Sequence, residues 1–142
     1  MKRLVIIAIT LASLFTPAID AQPPAAVRGA AFVAIYWRAK PGMLDAYNEY
    51  IKTVAEPIDE SARLAGVFAE VRTVMPAPGT TTDWTHLRIF RLKDAAAAEA
   101  LGAGLDAATA RVVPDEARRK ANSERAATLR DLVRREVWTE LR

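Results

Sequence analysis

The sequence predicts an α+β domain with the element order strand, helix, strand, strand, helix, strand, and an extra helix before the last strand. Two observations predict it. Short segments rich in β-branched and aromatic residues alternate with segments whose apolar residues recur at helical spacing. Glycines and prolines separate these segments. The second and third strands follow each other across a short loop, so the sheet is expected to be antiparallel.

The first strand and helix have clear signals. Residues 31–38 read Ala-Phe-Val-Ala-Ile-Tyr-Trp-Arg, which is typical of a strand, and the turn Lys40-Pro41-Gly42 follows. Apolar side chains then recur at helical spacing, at Tyr47, Tyr50, Ile51, Val54 and Ile58. Pro57 is expected to kink this helix or to end it and start a second one. Gly66 is expected to end the helical segment in a left-handed conformation.

The remaining strands are predicted at Val67–Met75, Asp83–Leu92 and Leu132–Leu141, with a loop over residues 76–82. The last segment allows two interpretations. As a helix it would extend the helix before it, and as a strand it would complete a sheet that otherwise has three strands. We favour the strand, which gives a ferredoxin-like βαββαβ plan.

Two helices are predicted in the second half of the chain. Asp94 caps a helix over Ala95–Leu101, which is expected to loosen at Gly102 and Gly104. A further helix opens at Pro114-Asp115-Glu116 and runs to about Asp131, because proline and acidic residues favour a first turn.

Alternation along the strands divides the sheet into two faces. One predicted face is almost purely apolar and is expected to lie under the helices: Val33, Ile35, Trp37, Val67, Ala69, Val71, Leu87 and Ile89. The opposite face mixes aromatic and ionisable side chains: Phe32, Ala34, Tyr36, Arg38, Phe68, Glu70, Arg72, Val74, Trp84, His86, Arg88 and Phe90. Such a surface is too apolar for water and too charged for the core of a monomer. The sequence therefore predicts a homodimer through this face.

Composition excludes several kinds of site. The 142 residues include no cysteine, which excludes disulfides, thiolate metal sites and a cysteine nucleophile. The single histidine makes a metal site with several histidine ligands, or a Ser-His-Asp enzyme, hard to build, and no metal or cofactor is predicted. The net charge of +3 is too small to imply nucleic acid, and the basic residues near the C-terminus alternate with acidic ones on an expected solvated helix face.

The N-terminus predicts export. Met1-Lys2-Arg3 is basic, residues 4–15 are mostly apolar, and Ala21 is a small residue at the expected cleavage point. The apolar run is about twelve residues, shorter than the roughly 20 that a membrane-spanning helix needs. We therefore predict a signal peptide over 1–21, no stable membrane anchor after cleavage, a flexible tether over 22–29, and a periplasmic or secreted domain over 30–142. A retained anchor and a buried first helix are the alternatives.

The domain resembles the dimeric α/β-barrel superfamily, in which two ferredoxin-like subunits pack sheet against sheet. The resemblance covers about residues 30–142. It rests on the strand over 32–37, the Lys40-Pro41-Gly42 turn, Gly66 before the second strand and Asp83-Trp84 at the start of the third. It implies a barrel formed by dimerisation. The superfamily includes cofactor-independent monooxygenases, haem-degrading enzymes, lactone isomerases and secreted members without known activity, and no subfamily's catalytic motif matches this chain.

His86 is the candidate catalytic residue, because an imidazole titrates near neutral pH and can act as a general acid or base. The alternative is a structural histidine at the interface, bonded to Glu70 or to a backbone group. Ligation of haem or a metal is disfavoured, because no second ligand is suggested by the spacing.

The candidate ligand-binding residues are Tyr36, Arg38, Glu70, Arg72, Trp84 and Arg88. Glu70, Arg72 and Arg88 could bind a carboxylate or phenolate through charge-assisted hydrogen bonds, or could form ion pairs between subunits. Tyr36 and Trp84 could shape a pocket for a flat ligand, or simply pack in the dimer.

Three functions remain open. The first is an exported homodimer that binds a small aromatic or carboxylated ligand in a cavity on the sheet face. The second is a cofactor-independent enzyme of the monooxygenase or isomerase kind, with His86 as acid or base. The third is a structural dimer with a filled barrel and no catalytic role. Composition and motifs do not decide whether the protein is an enzyme.

Overall fold

The computed structural model describes residues 29–141, and four strands and four α-helices make up this part of the chain. The strands β1 (Ala31–Ala39), β2 (Glu70–Val74), β3 (His86–Leu92) and β4 (Arg130–Thr139) form one antiparallel sheet in the order β2-β3-β1-β4. The helices are α1 (Leu44–Tyr50), α2 (Glu56–Leu64), α3 (Ala96–Val112) and α4 (Glu116–Leu129). The predicted α+β class and ferredoxin-like βαββαβ plan, with the extra helix α4, are confirmed.

The predicted signal peptide over residues 1–21 and most of the predicted tether over 22–29 lie outside the described residues. Within residues 29–141, no helix combines the length and the apolar character needed to cross a membrane.

The first helical segment changes its winding before Pro57. A π-helical segment, Ile51–Ala55, connects α1 to α2, and the backbone N–H of Glu56 donates to the carbonyl oxygen of Ile51, five residues earlier. Pro57 has no N–H to continue the regular bonds, so the helix restarts with this proline in its first turn. The predicted break is confirmed. Gly66, at φ +74°, ends α2 in the expected left-handed conformation.

The last strand confirms the favoured interpretation of the C-terminal segment. β4 begins at Arg130, directly after α4, and pairs antiparallel with β1. The register shifts beside Tyr36 and Trp37. This bulge lets Val133 pack with Ala34 and Tyr36 on the face of the sheet that has no helices.

Helix α3 corrects the expectation that the chain loosens at Gly102 and Gly104. The helix continues through both glycines to Val112. Gly104 is required by packing, because a Cβ atom built on it would lie 2.4 Å from Cγ1 of Val67. Gly102 has no heavy atom within 4 Å of a Cβ built in the same way.

Alanine substitutions at these two glycines of α3 are expected to change the stability of the domain in opposite directions. Gly104→Ala is expected to destabilise the domain by about 1–3 kcal/mol, because the β-branched Val67 must move. Gly102→Ala is expected to stabilise it by roughly 0.5–1 kcal/mol, since alanine is the better helix former. Urea unfolding of both variants measures the difference. Equal effects would contradict the close packing of α3 on Val67.

The face assigned to the third strand was wrong. In the register, Val33 of β1 lies opposite Phe90 of β3 and Trp37 lies opposite His86. His86, Arg88 and Phe90 therefore point toward the helices, and Leu87 and Ile89 point away from them. Alternation gives the two sets of side chains but not the direction of each set. The buried polar residues are tolerated under the helices because α1 and α2 supply hydrogen-bonding partners.

Phe68 was also predicted on the wrong face. β2 begins only at Glu70, so residues 67–69 do not continue its alternation. Phe68 is buried in the core under the helices, where its ring centroid lies 5.1 Å from that of Phe90. The predicted faces of β1 and of Glu70, Arg72 and Val74 agree with the register.

The helix-free face of the sheet, named here the open face, is apolar at its centre. Ala34, Tyr36 and Leu87 are buried there, and Trp84, Ile89 and Val133 pack against them. Trp138 of β4 lies opposite Phe32 and is 41% exposed. The open face thus keeps the apolar character predicted for it, although Leu87 and Ile89 supply it in place of Phe68 and Phe90.

Candidate functional site

Three polar side chains are buried among the described residues: Asp59, His86 and Arg88. All three lie between the helices and the sheet, with Asp59 on α2 and the other two on β3. Buried polar groups need partners to offset their lost hydration, so this cluster identifies the region where the fold departs from simple hydrophobic packing.

His86 is 1% exposed and has a hydrogen-bonding partner on each ring nitrogen. Its Nε2 lies 2.8 Å from Oδ1 of Asn48 on α1, and its Nδ1 lies 2.9 Å from Oγ1 of Thr85. An amide oxygen only accepts, so Nε2 carries the proton and Nδ1 accepts from the threonine hydroxyl. The same hydroxyl accepts from the N–H of Ala39, at 2.8 Å. The imidazole is therefore held in one orientation and one tautomer.

A cation–aromatic arrangement lies behind His86. The Tyr47 ring meets the imidazole edge to face at a centroid distance of 4.5 Å, and its hydroxyl accepts from Nη1 of Arg130 at 2.6 Å. The Arg130 guanidinium also lies 3.7 Å from the centroid of Trp37. Burial, and secondly the positive charge of Arg130, lower the pKa of His86. His86 is consequently neutral at pH 7.

Arg88 and Asp59 form a buried ion pair between β3 and α2. Nη2 of Arg88 donates to Oδ2 of Asp59, and each side chain is about a tenth exposed or less. Burial raises the pKa of Asp59, and the Arg88 guanidinium opposes that rise. Nε of Arg88 is buried and has no acceptor among the described residues.

A cleft opens between the helices and the edge strand β2, above these buried groups. One cavity of about 340 Å³ is lined by Asn48, Ile51, Lys52, Glu56, Thr73, Met75 and His86. A second, of about 360 Å³, is lined by Glu56, Asp59, Glu60, Arg63, Ala69, Glu70, Val71 and Thr73. Glu56 and Thr73 line both cavities, so we treat the two as one helix-side cleft. Each has the size of a site for a small organic ligand.

A larger cavity of about 580 Å³ lies along α3, beside Gly66 and Val67. Its wall consists mainly of alanines and Gly104, and Lys93 and Asp94 are its titratable residues. It contains none of the buried polar groups. The helix-side cleft is therefore the better candidate, since convergent polar groups distinguish a binding site from a packing defect.

The structure separates six of the predicted site residues into three pairs and leaves Arg38 apart from them. Tyr36 and Trp84 lie together on the open face, with ring centroids 5.7 Å apart. The Tyr36 hydroxyl donates to Oε2 of Glu136 at 3.2 Å, and the guanidinium of Arg134 lies 3.8 Å from the Tyr36 ring centroid. Burial and the neighbouring Glu136 raise the pKa of Tyr36. This contact pair matches the predicted association of the two aromatic residues.

Glu70 and Arg72 form the second group. They pair on the edge strand β2, with 2.5 Å between Oε1 and Nε, and both side chains are largely exposed. Arg88, predicted beside them, lies on the other face of the sheet and pairs with Asp59. Arg38 lies exposed on β1 and belongs to neither the Glu70–Arg72 pair nor the Arg88–Asp59 pair.

His86 and Arg88 form the third group, on the helix side of the sheet. The alternative bond from His86 to Glu70 is wrong, because Asn48 and Thr85 hold the imidazole. Whether any of the predicted residues binds a ligand or acts in catalysis stays a prediction.

Several residues of the cleft were not singled out from the sequence. Asn48, Asp59 and Thr73 are polar positions whose importance depends on contacts between distant segments. No pattern in the sequence marks Asp59, because it follows Ile58 directly and so lies outside the helical stripe of apolar residues.

Among residues 29–141, no group of three or more histidine, aspartate or glutamate side chains is arranged to hold a metal ion. The expectation of a site without metal or cofactor stays a prediction.

The lowered pKa of His86 predicts a pH-dependent stability. The unfolded chain binds a proton at the ordinary histidine pKa of about 6.5, before the folded protein does. The free energy of unfolding should therefore fall as the pH falls from 7.5 through 6.5 to 5.5. Urea midpoints at these values measure it. His86→Gln should flatten the curve in this window, and an unchanged slope would show that the imidazole is not held neutral.

Comparisons with known proteins show the fold and no more. The sequence matches no protein-family model, and no curated protein is similar to it. The solved structure of HapK from Hahella chejuensis is similar with a TM-score of 0.50 and 13% identity, over 78% of this chain and 92% of HapK. An EthD-like protein from Ralstonia eutropha JMP134 has a TM-score of 0.48 at 13% identity, over 79% of this chain and 92% of its own.

An ethyl tert-butyl ether D (EthD) family protein from Bacillus halodurans C-125 has a TM-score of 0.44 at 13% identity, over 80% of this chain and 99% of its own. At 13% identity the likeness to HapK shows a shared fold and nothing about activity or assembly.

Proposed function

We propose that this protein is an exported homodimer that binds a small aromatic or carboxylated molecule, and that the binding site is the helix-side cleft. The proposal rests on one observation. His86, which is buried and hydrogen-bonded at both ring nitrogens, lines an accessible cavity of about 340 Å³. The sheet-face cavity expected from the sequence could form only between two subunits.

The residues that line the cleft suit a ligand that carries both an apolar ring and hydrogen-bonding groups. Ile51 and Met75 offer apolar surface for a flat ring, and Met75 is 47% exposed. Asn48, Thr73 and Lys52 offer hydrogen-bonding groups on the same cavity wall. A few placed polar groups within an apolar wall orient a ligand and give specificity.

The open face supports the homodimer. Its centre is apolar, and Trp138 and Val74 are 41% and 40% exposed on the two edge strands. A second copy of the same face would cover this surface. The charged Arg38, Arg72 and Arg91 would then lie near the margin of the interface or pair across it.

The export proposal rests on the order of basic, apolar and small residues before Gln22. Mass spectrometry of the protein secreted or released from the periplasm should give an N-terminus at Gln22. A full-length chain recovered from the membrane fraction would contradict it.

The binding proposal is tested by filling the cleft. Thr73 lines both cavities and is exposed on an edge strand, so Thr73→Trp should block the cleft without unfolding the domain. Thr80→Trp is the matched control, because Thr80 is an exposed threonine of the loop after β2 and lines neither of these two cavities. Benzamide and benzoate are titrated against each protein, with the His86 imidazole and Asn48 amide resonances as readout.

We expect at least one of the two probes to shift these resonances in the wild type and in Thr80→Trp, and neither to do so in Thr73→Trp. Binding that survives in Thr73→Trp would place the site elsewhere. Absence of binding by either probe to the wild type would overturn the proposal.

A catalytic role is the second candidate function, and one observation favours it. The lowered pKa favours the neutral imidazole of His86. It could act as a base at Nδ1 once the Thr85 hydroxyl is displaced, or donate from Nε2 to a substrate oxygen that replaces Oδ1 of Asn48. Turnover of a quinol or lactone that is lost in His86→Gln and retained in Thr85→Ser would support it. Unchanged turnover in His86→Gln would exclude the histidine from the chemistry.

A further inference from the structure

We propose that the two open faces pack about a two-fold axis that runs along the strands, between β3 and β1, so that β2 of one subunit lies over β4 of its partner. Arg72 then pairs with Glu136 of the partner subunit, and this ion pair fixes the orientation. The inference rests on the proposed function, because it assigns the orientation and the charged contacts of the proposed homodimer.

The strand register arranges the open face in rows that run across the sheet. In the middle row, Ile89 pairs with Arg72 of β2 and with Ala34 of β1, and Ala34 pairs with Glu136 of β4. This row has a cation at the β2 end, one large and one small apolar side chain at its centre, and an anion at the β4 end. The flanking rows are Glu70, Arg91, Phe32 and Trp138, and Val74, Leu87, Tyr36 and Arg134.

The two sides of these rows differ in the sign of their excess charge. The β2 side carries two arginines and one glutamate, and on the β4 side two carboxylates share one arginine. The residues are Arg72, Arg91 and Glu70 on the β2 side, and Asp83, Glu136 and Arg134 on the β4 side. The open face is therefore complementary in charge to a second copy of itself, if the β2 side meets the β4 side.

Two sheets that pack face to face with aligned strands can be related by either of two two-fold axes. An axis across the strands places each edge strand over the same strand of the partner, so Arg72 meets its own copy and Glu136 meets its own copy. An axis along the strands places β2 over β4 of the partner, so each arginine meets a carboxylate. Like charges opposed across an interface are costly, and the charge pattern favours the axis along the strands.

The apolar centre of the middle row favours the same axis. An axis along the strands places Ile89 over Ala34 of the partner subunit, which is a large side chain over a small one. The other axis, through this row, places Ile89 over its own copy and Ala34 over its own copy. That arrangement crowds one position and leaves a gap at the other, whereas well-packed interfaces have complementary shapes.

Arg72 and Glu136 are both able to make a contact between subunits. The Arg72 side chain is 73% exposed and uses Nε for Glu70, so its Nη groups can donate to a second carboxylate. Each carboxylate oxygen of Glu136 accepts one hydrogen bond, from Arg134 or from Tyr36, and a carboxylate can accept about four. Packed sheets lie about 10 Å apart, which an arginine and a glutamate can bridge together.

A charge swap tests the arrangement. Dissociation constants of the dimer are measured by analytical ultracentrifugation for the wild type, Arg72→Glu, Glu136→Lys and the double variant that carries both changes. Arg118→Glu is the matched control, because it makes the same change of charge at an exposed position of α4, on the helix side of the sheet.

We expect each single variant to dimerise at least about 10-fold more weakly than the wild type, because both copies of the contact then oppose like charges. The double variant restores opposite charges at both copies, so its dissociation constant should return to within about 3-fold of the wild-type value. Arg118→Glu should dimerise as the wild type does.

Cross-linking tests the orientation without reversing a charge, and it remains informative if Glu136→Lys fails to fold. The chain contains no cysteine, so the single-cysteine variants Arg72→Cys and Glu136→Cys report only contacts between chains. A short bis-maleimide should join the two variants to each other in a mixture, and should not join either variant to itself.

Self-cross-linking of Arg72→Cys would show the axis across the strands and overturn this orientation. A dimer of Arg72→Glu as tight as the wild-type dimer would also overturn it, and either result would leave the homodimer itself standing. A wild-type protein that is monomeric at micromolar concentration would overturn the proposed homodimer together with this inference.

Discussion

Replacing Asp59 by alanine should lower the free energy of unfolding by about 3–5 kcal/mol, the largest single effect expected on this domain. The substitution leaves the guanidinium of Arg88 buried and unpaired under α2. Breaking one side of a buried pair is costly because the remaining charge has neither water nor a counterion. Thermal unfolding should show a fall in Tm of more than about 10 °C.

Two further variants separate charge from packing. Arg72→Ala removes one side of the exposed Glu70–Arg72 pair and should change stability by about 0–1 kcal/mol. The double variant Asp59→Leu with Arg88→Met removes both charges and should recover much of the stability lost in Asp59→Ala. If Asp59→Ala and Arg72→Ala have similar effects, the pair is not buried as described.

Trp138→Glu should convert the proposed homodimer to a monomer. Trp138 lies on the open face, opposite Phe32, and is 41% exposed in the isolated subunit. A carboxylate there would be buried unpaired between two subunits, whereas in the monomer it would remain hydrated. Light scattering on the mature chain should give about twice the monomer mass for the wild type and the monomer mass for this variant.

Val137→Glu is the matched control for the dimer. Val137 is the preceding residue on β4, is 46% exposed, and lies opposite Val33 on the helix side of the sheet. It should remain dimeric. A wild-type protein that is monomeric at micromolar concentration, or a dimer unaffected by Trp138→Glu, would contradict an interface through the open face.

Local patterns in the sequence predict most of the fold. The alternation of residues 31–38, the helical stripe from Tyr47 to Ile58 and the glycine at position 66 each reflect short-range geometry, and the structure confirms all three. The C-terminal strand was harder, because residues 132–141 fit both a helix and a strand. The strand was preferred only because it completes a sheet that would otherwise have three strands.

The site was less predictable than the fold. The face to which a side chain points, and the group to which it bonds, depend on residues far apart in the sequence. Alternation groups His86 with Arg88, but their position under the helices depends on Asn48 and Asp59, which are 38 and 29 residues earlier. The apolar Leu87 and Ile89 were the natural choice for the core. They lie on the open face, where the predicted second subunit would cover them.

We propose that the ligand binds on the helix side of the sheet, in the helix-side cleft. Intermolecular nuclear Overhauser effects between bound benzamide and the protein test it most directly. We predict contacts from the benzamide ring to Ile51, Met75 and His86. Contacts to Tyr36, Trp84 and Ile89 instead would put the ligand between the two sheets and contradict the account.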